Sequence, residues 1–314
     1  MLVNEKNNTT EELSSNIKKL KEEMNAVILA HYYEEPEVQD LGDFVGDSLG
    51  LCIEASKTGA DVIVFCGVHF MAESAKLLNP DKLVLIPDSR AGCPMADMAA
   101  AADLRKMKEE HPGAVVVTYV NSTAAVKAES DICCTSSNAV KIVESVPSDK
   151  QIIFVPDQNL GKYVQQQTGR DLLLWNGYCP VHHQYVTPQD VREKQELYPD
   201  AEVLAHPECP PEVTTLADYV GSTAQILRYC REKQDGNGPK QRTYIIGTEK
   251  GILYPLQQQN PGALFVPAGE KMICSDMKKI TLQKVQASLQ KRQEKIEIPQ
   301  EVRDRAVEPI QKMV

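Results

Sequence analysis

Residues 26–48, AVILAHYYEEPEVQDLGDFVGDS, contain the pattern that decides the fold. An apolar run typical of a strand ends at His31, and 17 residues later Ser48 opens an apolar-periodic segment typical of a helix. The same 17-residue step leads from Tyr119 to Ser136 and from His206 to Thr223, within residues 114–137 and 201–223. The chain is therefore organised by an internal repeat.

Each copy continues with the same order of elements. A second strand follows (DVIVFCG, QIIFVPD and TYIIGTE), then a short helix, a third strand (KLVLIPD, DLLLWNG and ALFVPAG) and a cysteine: Cys93, Cys179 and Cys274. The step from hydroxyl residue to cysteine is 45, 43 and 51 residues, and the polar insert EKQDGNGPK, predicted as a surface loop, accounts for the longest value. The strand–helix rhythm of any α/β protein is the alternative explanation, but it does not produce a shared step and a shared cysteine.

The repeat predicts the fold class and the domain organisation. We expect an α/β protein of three homologous three-layer αβα domains with short parallel sheets, arranged with pseudo-threefold symmetry around a central active site. The predicted segments are a helical N-terminus (1–25), three repeats (26–113, 114–200 and 201–278) and a C-terminal helical strap (279–314). The acidic stretch 34–43 is interpreted as a mostly solvated connection, because its acids are not expected to recur in register.

Composition and charge limit the class of protein. With 42% apolar and 25% charged residues among 314, the chain is typical of a globular protein with an ample core. A net charge of −10 argues against general nucleic-acid binding, which needs a basic surface. We expect no membrane span and no secretory signal, because the sequence lacks a long apolar run and its N-terminal segment is polar. The cytoplasm is the expected location.

The repeated residues are expected to meet at one cavity. Ligands of open α/β sheets bind beyond the carboxyl ends of the strands, where helices begin. His31, Tyr119 and His206 stand at strand ends, and Ser48, Ser136 and Thr223 stand at predicted helix starts. Helix N-termini offer unpaired N–H groups and the positive end of the helix dipole. An acidic protein can thereby hold an anionic substrate.

The three repeat cysteines are candidate metal ligands. The chain has nine cysteines and no CxxC motif, so a metal site has to be assembled from distant positions. Three thiolates suit a 4Fe–4S cluster with one open iron that acts as a Lewis acid. The alternative is zinc held by Cys179 with His182 or His183. Cys209 is left out of the ligand set because neither of the other repeats has a cysteine at its offset.

Several motifs, in order along the chain, resemble those of the quinolinate synthase family. They include HYYEEPEVQDLGDFVGDSLGL, AGCPMADM, YVNSTAAVKAESDICCTSSNAV, NGYCPVHH, AHPECPPEV and MICSDMKKITL, between about Val27 and Leu282. The resemblance implies a three-domain enzyme of NAD biosynthesis with one 4Fe–4S cluster on three cysteines. It also implies condensation of iminoaspartate with dihydroxyacetone phosphate to quinolinate, with release of phosphate and two waters. A functional link to the enzyme that supplies iminoaspartate follows as an expectation.

The resemblance also implies roles for individual residues. Cys93, Cys179 and Cys274 are the implied cluster ligands. Glu208 is the expected general base, assisted in proton transfer by Tyr33, and His31 and His206 are the further catalytic candidates. The implied substrate-binding residues are His31, Ser48, Tyr119, Asn121, Ser136, His206, Glu208 and Thr223. Two other functions stay open: a sensor that uses the same cluster without turnover, and an aconitase-like hydro-lyase.

Overall fold

The computed structural model describes residues 9–234 and 242–314, and it contains three parallel four-stranded sheets. We call the segments that carry these sheets units 1, 2 and 3, in chain order. The α/β fold class predicted from the repeat is confirmed. The predicted surface loop spans residues 232–240; its residues 235–240 lie outside the described residues, as does residue 241, and residues 232–234 belong to the end of a helix.

Units 1 and 2 have matching element orders. Unit 1 contains strands β1 (Ala26–His31), β2 (Phe44–Gly46), β3 (Val62–Cys66) and β4 (Leu83–Leu85), with helices α2 (Pro36–Gln39), α3 (Ser48–Lys57), α4 (His69–Leu78), α5 (Pro94–Asp97) and α6 (Ala101–Glu110). Unit 2 contains strands β5 (Val115–Tyr119), β6 (Ile132–Cys134), β7 (Ile152–Val155) and β8 (Leu172–Leu174), with helices α7 (Ala124–Lys127), α8 (Ala139–Ser145), α9 (Gln158–Thr168), α10 (Pro180–Tyr185) and α11 (Pro188–Leu197).

Unit 3 repeats the topology, and helices from both ends of the chain pack on the units. Unit 3 contains strands β9 (Glu202–Ala205), β10 (Tyr219–Val220), β11 (Thr243–Gly247) and β12 (Leu264–Pro267), with helices α12 (Pro211–Thr214), α13 (Thr223–Gln234) and α14 (Leu253–Gln259). The terminal helices are α1 (Thr10–Glu23), α15 (Leu282–Lys291) and α16 (Gln300–Gln311). All three sheets have the same order: in each unit the second strand lies outside the first, and the third and fourth follow on the other side.

Each sheet contains one strand that the sequence did not predict. Strands β2, β6 and β10 have only three, three and two residues, which is too short for a periodic pattern. An aspartate just before each short strand binds the first strand of its unit. Asp43 accepts the N–H of Ile28 at 2.8 Å, and Asp131 and Asp218 accept those of Val116 and Val203, both at 2.7 Å.

The expectation of a mostly solvated acidic connection at residues 34–43 holds for Glu37, Asp40 and Asp43, which are exposed, but not for Glu34, and the expectation that its acids do not recur in register was wrong. Asp43 does recur in register, as Asp131 and Asp218, because each aspartate joins the connection to the first strand of its sheet. Glu34 is 0% exposed, and neither of its carboxyl oxygens has a hydrogen-bond partner within the described chain. Burial raises the pKa of Glu34 well above its usual value.

The core explains why these strands are almost continuously apolar. All five residues of β3 and all four of β7 are buried, as expected where helices cover both faces of a parallel sheet. Helix α1 packs against α15, and α16 packs against α4 and α7. The helices that end the chain therefore join different units. None of the helices in the described ranges is long and apolar enough to cross a membrane.

Candidate active site

A cavity of about 300 Å³ lies where the three units meet. All twelve site residues that the family resemblance implies line it: His31, Tyr33, Ser48, Cys93, Tyr119, Asn121, Ser136, Cys179, His206, Glu208, Thr223 and Cys274. These residues come from strand ends, helix starts and the loops after the last strands. Their convergence follows from the repeat, because equivalent positions of each unit face the same cavity.

The two strand-end histidines are held alike. The backbone N–H of Tyr33 donates to Nδ1 of His31 at 3.1 Å, and that of Glu208 donates to Nδ1 of His206 at 3.2 Å. A ring nitrogen that accepts a hydrogen bond is unprotonated, so the proton of each neutral ring is on Nε2. Burial lowers the pKa of His31 and of His206 to about 3. Both histidines are therefore neutral N–H donors at physiological pH.

The three units are joined beside the predicted hydroxyl positions. Oγ of Ser137 donates to Oδ2 of Asp47 at 2.7 Å and lies 2.7 Å from Oγ of Ser222. Oγ of Ser222 lies 3.4 Å from the same aspartate oxygen. These residues are sequence neighbours of Ser48, Ser136 and Thr223, so one hydrogen-bonded cluster fixes the three hydroxyls relative to one another. We call Asp47, Ser137 and Ser222 the junction.

One of the three predicted helix starts was misplaced. Ser48 and Thr223 are the first residues of α3 and α13. Ser136 instead lies in a turn, and α8 begins three residues later at Ala139. Asn138 accounts for the difference, because its side-chain oxygen accepts the N–H of Thr135 at 2.7 Å and stabilises the turn. Oγ of Ser136 still reaches Nε2 of His206, at 3.2 Å.

A chain of hydrogen bonds links Tyr33 to His182. The Tyr33 hydroxyl lies 2.7 Å from Oγ1 of Thr248 and 2.9 Å from Oγ1 of Thr223. Oγ1 of Thr248 also lies 2.7 Å from Nε2 of His182. Burial, together with the nearby Glu208 carboxylate, raises the pKa of Tyr33 well above its usual value. Tyr33 is therefore a phenol that holds its proton at neutral pH.

Glu208 is buried at the centre of the polar wall. Its two oxygens are bound by the Tyr119 hydroxyl at 2.5 Å and by Nδ1 of His182 at 2.7 Å. Burial raises the pKa of Glu208, but the attraction of His182 and His206 and the two hydrogen bonds outweigh that effect and hold the pKa below its usual value. Glu208 is thus an ionised acceptor that orients His182 and Tyr119.

Asn121 has an unused acceptor at the cavity. Its Oδ1 atom is buried and lacks a hydrogen-bond partner among the described residues. Buried amide oxygens are nearly always hydrogen-bonded in folded proteins. An unpartnered oxygen on a cavity-lining residue is therefore available to a bound molecule.

The three cysteines are unpaired thiols in short loops at the cavity. Cys93 and Cys179 each precede a proline that starts a short helix, α5 and α10. Burial raises the pKa of all three thiols, that of Cys274 to about 11. The thiolate form of these side chains therefore needs a positive partner.

Acidic groups hold the backbone of each cysteine loop. Oδ2 of Asp157 accepts the N–H of Cys179 at 3.2 Å, and Oε1 of Glu249 accepts that of Cys274 at 3.1 Å. Both acids stand two residues after the third strand of their sheet, β7 or β11. In unit 1 that position is occupied by Val68. The loop that carries Cys93 is held by Asp276 of unit 3 instead, whose side chain accepts the N–H of Gly92 at 3.2 Å.

The spacing of possible metal ligands distinguishes two kinds of site. Within the described chain, Cys179, His182 and Glu208 have ligand atoms that all lie within 4.8 Å of one another, whereas the three cysteine sulfurs do not form such a set. Thiolates on one zinc lie at most about 4.6 Å apart, since each Zn–S bond is about 2.3 Å. The three cysteines thus suit a group larger than a single ion.

Several functional residues were missed in the sequence. His182 was weighed as an alternative zinc ligand or as a residue beside a ligand cysteine, and Asp47, Thr248 and Glu249 were not singled out. Asp157 and Glu249 could have been found, because they occupy the same position after equivalent strands. His183, the other proposed zinc ligand, stacks on Tyr178 and pairs with Asn159. Cys209 is buried and donates to the carbonyl of Gly247.

Comparison with known proteins identifies similar sequences over nearly the whole chain. The sequence model of the family described as NadA, quinolinate synthetase A protein, matches residues 15–314. A protein of Methanosarcina barkeri named quinolinate synthase is 52% identical over 303 residues, covering 96% of this chain and 97% of that protein. A protein of the same name from Dehalococcoides mccartyi is 51% identical, covering 96% of this chain and 97% of that protein. Another from Trichodesmium erythraeum is 49% identical, covering 98% of this chain and 95% of that protein.

Proposed function

The chain belongs to the quinolinate synthase family, and we propose that it condenses iminoaspartate with dihydroxyacetone phosphate to form quinolinate. In this proposal phosphate and two waters are released, and the product supplies de novo NAD biosynthesis. The enzyme is then a transferase that forms a carbon–carbon bond and also dehydrates and cyclises its product. The observation that carries the proposal is the convergence of twelve predicted residues from three units on one cavity.

The polar wall fits substrates that carry carboxylates and phosphate. Ser48 and Thr223 present hydroxyls at helix N-termini, and Ser136 adds a third hydroxyl. The neutral imidazoles of His31 and His206 offer Nε2–H donors. We assign these five side chains, with Tyr119 and Asn121, to binding and orienting the two substrates. Such fixed donors cost no reorganisation when negative charge develops during the reaction.

Cys93, Cys179 and Cys274 fit one 4Fe–4S cluster in which one iron has no protein ligand. The support is chemical and geometric: three thiols line one cavity, and their sulfurs are spaced too widely for one zinc ion. Such a cluster supplies a Lewis acid to oxygen or nitrogen atoms of the substrate. Asp157 and Glu249 hold the backbone of two of the ligand loops.

Proton transfer is assigned to the chain from Tyr33 through Thr248 to His182. With Nδ1–H of His182 donating to Glu208, its Nε2 accepts the hydroxyl proton of Thr248, whose oxygen in turn accepts that of Tyr33. A proton can thus leave the Tyr33 phenol along preformed hydrogen bonds. Because the pKa of Glu208 is lowered, its expected role as the main base is refined: it orients His182 and accepts protons only weakly.

The decisive experiment is anaerobic purification followed by iron and sulfide analysis and a quinolinate assay with both substrates. We expect about four irons and four sulfides per chain, and quinolinate formed only when both substrates are present. One zinc and no iron per chain would instead support the set of Cys179, His182 and Glu208 as a single-ion site. A loaded cluster without quinolinate formation would support the sensor or the hydro-lyase. A cytoplasmic location and a link to the enzyme that supplies iminoaspartate belong to the same proposal.

A further inference from the structure

Lys127, at the end of α7, is a lysine with no exposed surface. Its ammonium donates to the carbonyl of Ser122 at 2.5 Å and lies 5.5 Å from the centroid of the Phe70 ring. Among the described residues, no carboxylate oxygen lies within 4.0 Å of it. Burial of an ammonium without an ion-pair partner is strongly unfavourable, so the position of Lys127 calls for an explanation.

The charges around the cavity provide an explanation for the buried ammonium of Lys127. In the described chain no lysine or arginine lines the cavity, whereas four acidic residues do: Asp47, Glu208, Glu249 and Asp276. The two strand-end histidines are neutral and do not compensate this charge. A wall with this excess of negative groups repels the anions that the hydroxyls and helix N-termini are arranged to bind.

The ammonium groups nearest the wall differ in their partners, and Lys279 forms an ion pair with Asp276 at 2.6 Å. Lys278 donates to the carbonyl of Tyr33 and lies 3.5 Å from Glu249 and 3.8 Å from Glu35, so its charge is neutralised locally. Lys127 has no such ion pair. The carboxylate of Glu73, the acid with the strongest influence on Lys127, is engaged by the N–H of Ala124 at 2.9 Å.

Phe70 connects Lys127 to the cavity. The ring lines the cavity, and the ammonium lies over the ring. Burial lowers the pKa of Lys127, while the carboxylate of Glu73 favours its charged form. Because the ring and the surrounding core exclude water, the field of the ammonium is screened far less than that of a surface lysine.

We propose that Lys127 is a fixed positive charge behind the Phe70 wall that strengthens the binding of anionic ligands in the cavity. It is a positioning residue, since a ring separates it from the ligand. The inference rests on the proposed function for the anionic nature of the substrates, and it extends that function by naming the buried cation that supports them.

The test compares two probes that differ by one charge, succinate and its monoamide succinamate, by calorimetry on the anaerobically purified full-length protein. Variant K127Q removes the charge but keeps an N–H donor for Ser122. K127R retains the charge, and K76Q removes an equal charge from a half-buried lysine of α4 whose ammonium donates to the carbonyls of Pro80 and Lys82. A buried unit charge about 10 Å away, at an effective dielectric constant of about 20, changes affinity by about tenfold per ligand charge.

We therefore expect K127Q to reduce the ratio of succinate to succinamate affinity about tenfold. K127R should restore that ratio to within about threefold, and K76Q should leave it unchanged. Equal weakening of both probes by K127Q would indicate a structural role and overturn the proposal, as would unchanged binding. If K127Q does not fold, K127M is measured in the same way. Failure of the wild-type protein to bind either probe would contradict the proposed function itself, and the inference with it.

Discussion

Replacing Asp47 by alanine or by asparagine distinguishes the effect of its charge from the effects of its two structural roles. Oδ1 of Asp47 accepts the N–H of Gly50 at 2.9 Å and caps α3, while Oδ2 accepts the Ser137 hydroxyl of another unit at 2.7 Å. D47A removes a cap worth about 1 kcal/mol and a hydrogen bond to a charged group worth about 1.5–3 kcal/mol. We therefore expect a loss of about 2–4 kcal/mol in the free energy of unfolding.

D47N tests the charge alone. Asparagine caps helices as well as aspartate does, and its amide group can donate to the two junction hydroxyls. We expect D47N to cost about 1 kcal/mol or less. It should also bind inorganic phosphate about tenfold more tightly, because a negative charge leaves the cavity wall.

The assay is thermal unfolding by circular dichroism, paired with phosphate titration by calorimetry. A loss of 2–4 kcal/mol lowers the midpoint of a chain of this size by about 4–10 °C. D103A is the matched control, since Asp103 lies in the first turn of α6 with a half-exposed side chain paired to Lys106; it should shift the midpoint by about 1 °C or less. The reasoning fails if D47A unfolds like the wild type, or if D47N is as unstable as D47A.

Three other variants test separate parts of the structure. E208Q should retain iron and sulfide but lose quinolinate formation by about 100-fold or more, since the acceptor that orients His182 is gone; wild-type turnover would remove Glu208 from the mechanism. D157A should destabilise the fold by about 2–5 kcal/mol, because it leaves the buried N–H of Leu160 and the partly buried N–H of Cys179 unpaired. The variant should also lose iron faster on exposure to a chelator; iron retention equal to wild type would contradict the role of Asp157 in holding a ligand loop. Burial raises the pKa of Glu129, but Arg105 and Arg305 outweigh the effect of burial and hold the pKa below its usual value. The ionised carboxylate therefore stabilises the fold at pH values above its unfolded pKa of about 4.3. This contribution is lost as the pH falls through the lower pKa of the folded state. E129Q should therefore lower the urea midpoint at pH 7 and flatten its decline between about pH 5 and pH 3; an acid decline as steep as that of the wild type would contradict the assignment.

The parts of the site that the sequence revealed are those fixed by the backbone of a parallel sheet. A residue at the carboxyl end of a strand must face the same edge as the helix start that follows it. His31 and Ser48 could thus be assigned to one cavity from their spacing alone, and the repeat extended the assignment to the other two units. The predicted fold class and family were confirmed for the same reason: both depend on spacing, which the sequence records directly.

The parts that the sequence did not reveal depend on side-chain direction and on contacts between units. His182 faces Glu208 while its neighbour His183 faces away, and the difference is set by how the short helix α10 packs. The junction was invisible because Asp47 and Ser137 are 90 residues apart and belong to different units. The sheet boundaries in each unit could be read from the structure, whereas the domain boundaries stay a prediction.

The division of the cavity among three units has a consequence for how the protein is made. Domains fold in order as a chain leaves the ribosome, and the loop at residues 273–277, which contributes Cys274 to the cavity wall, is translated after units 1 and 2. A nascent chain that has completed units 1 and 2 already carries Cys93 and Cys179, but it lacks the third side of the cavity. The proposed cluster needs all three cysteines, so its assembly would follow translation of Cys274.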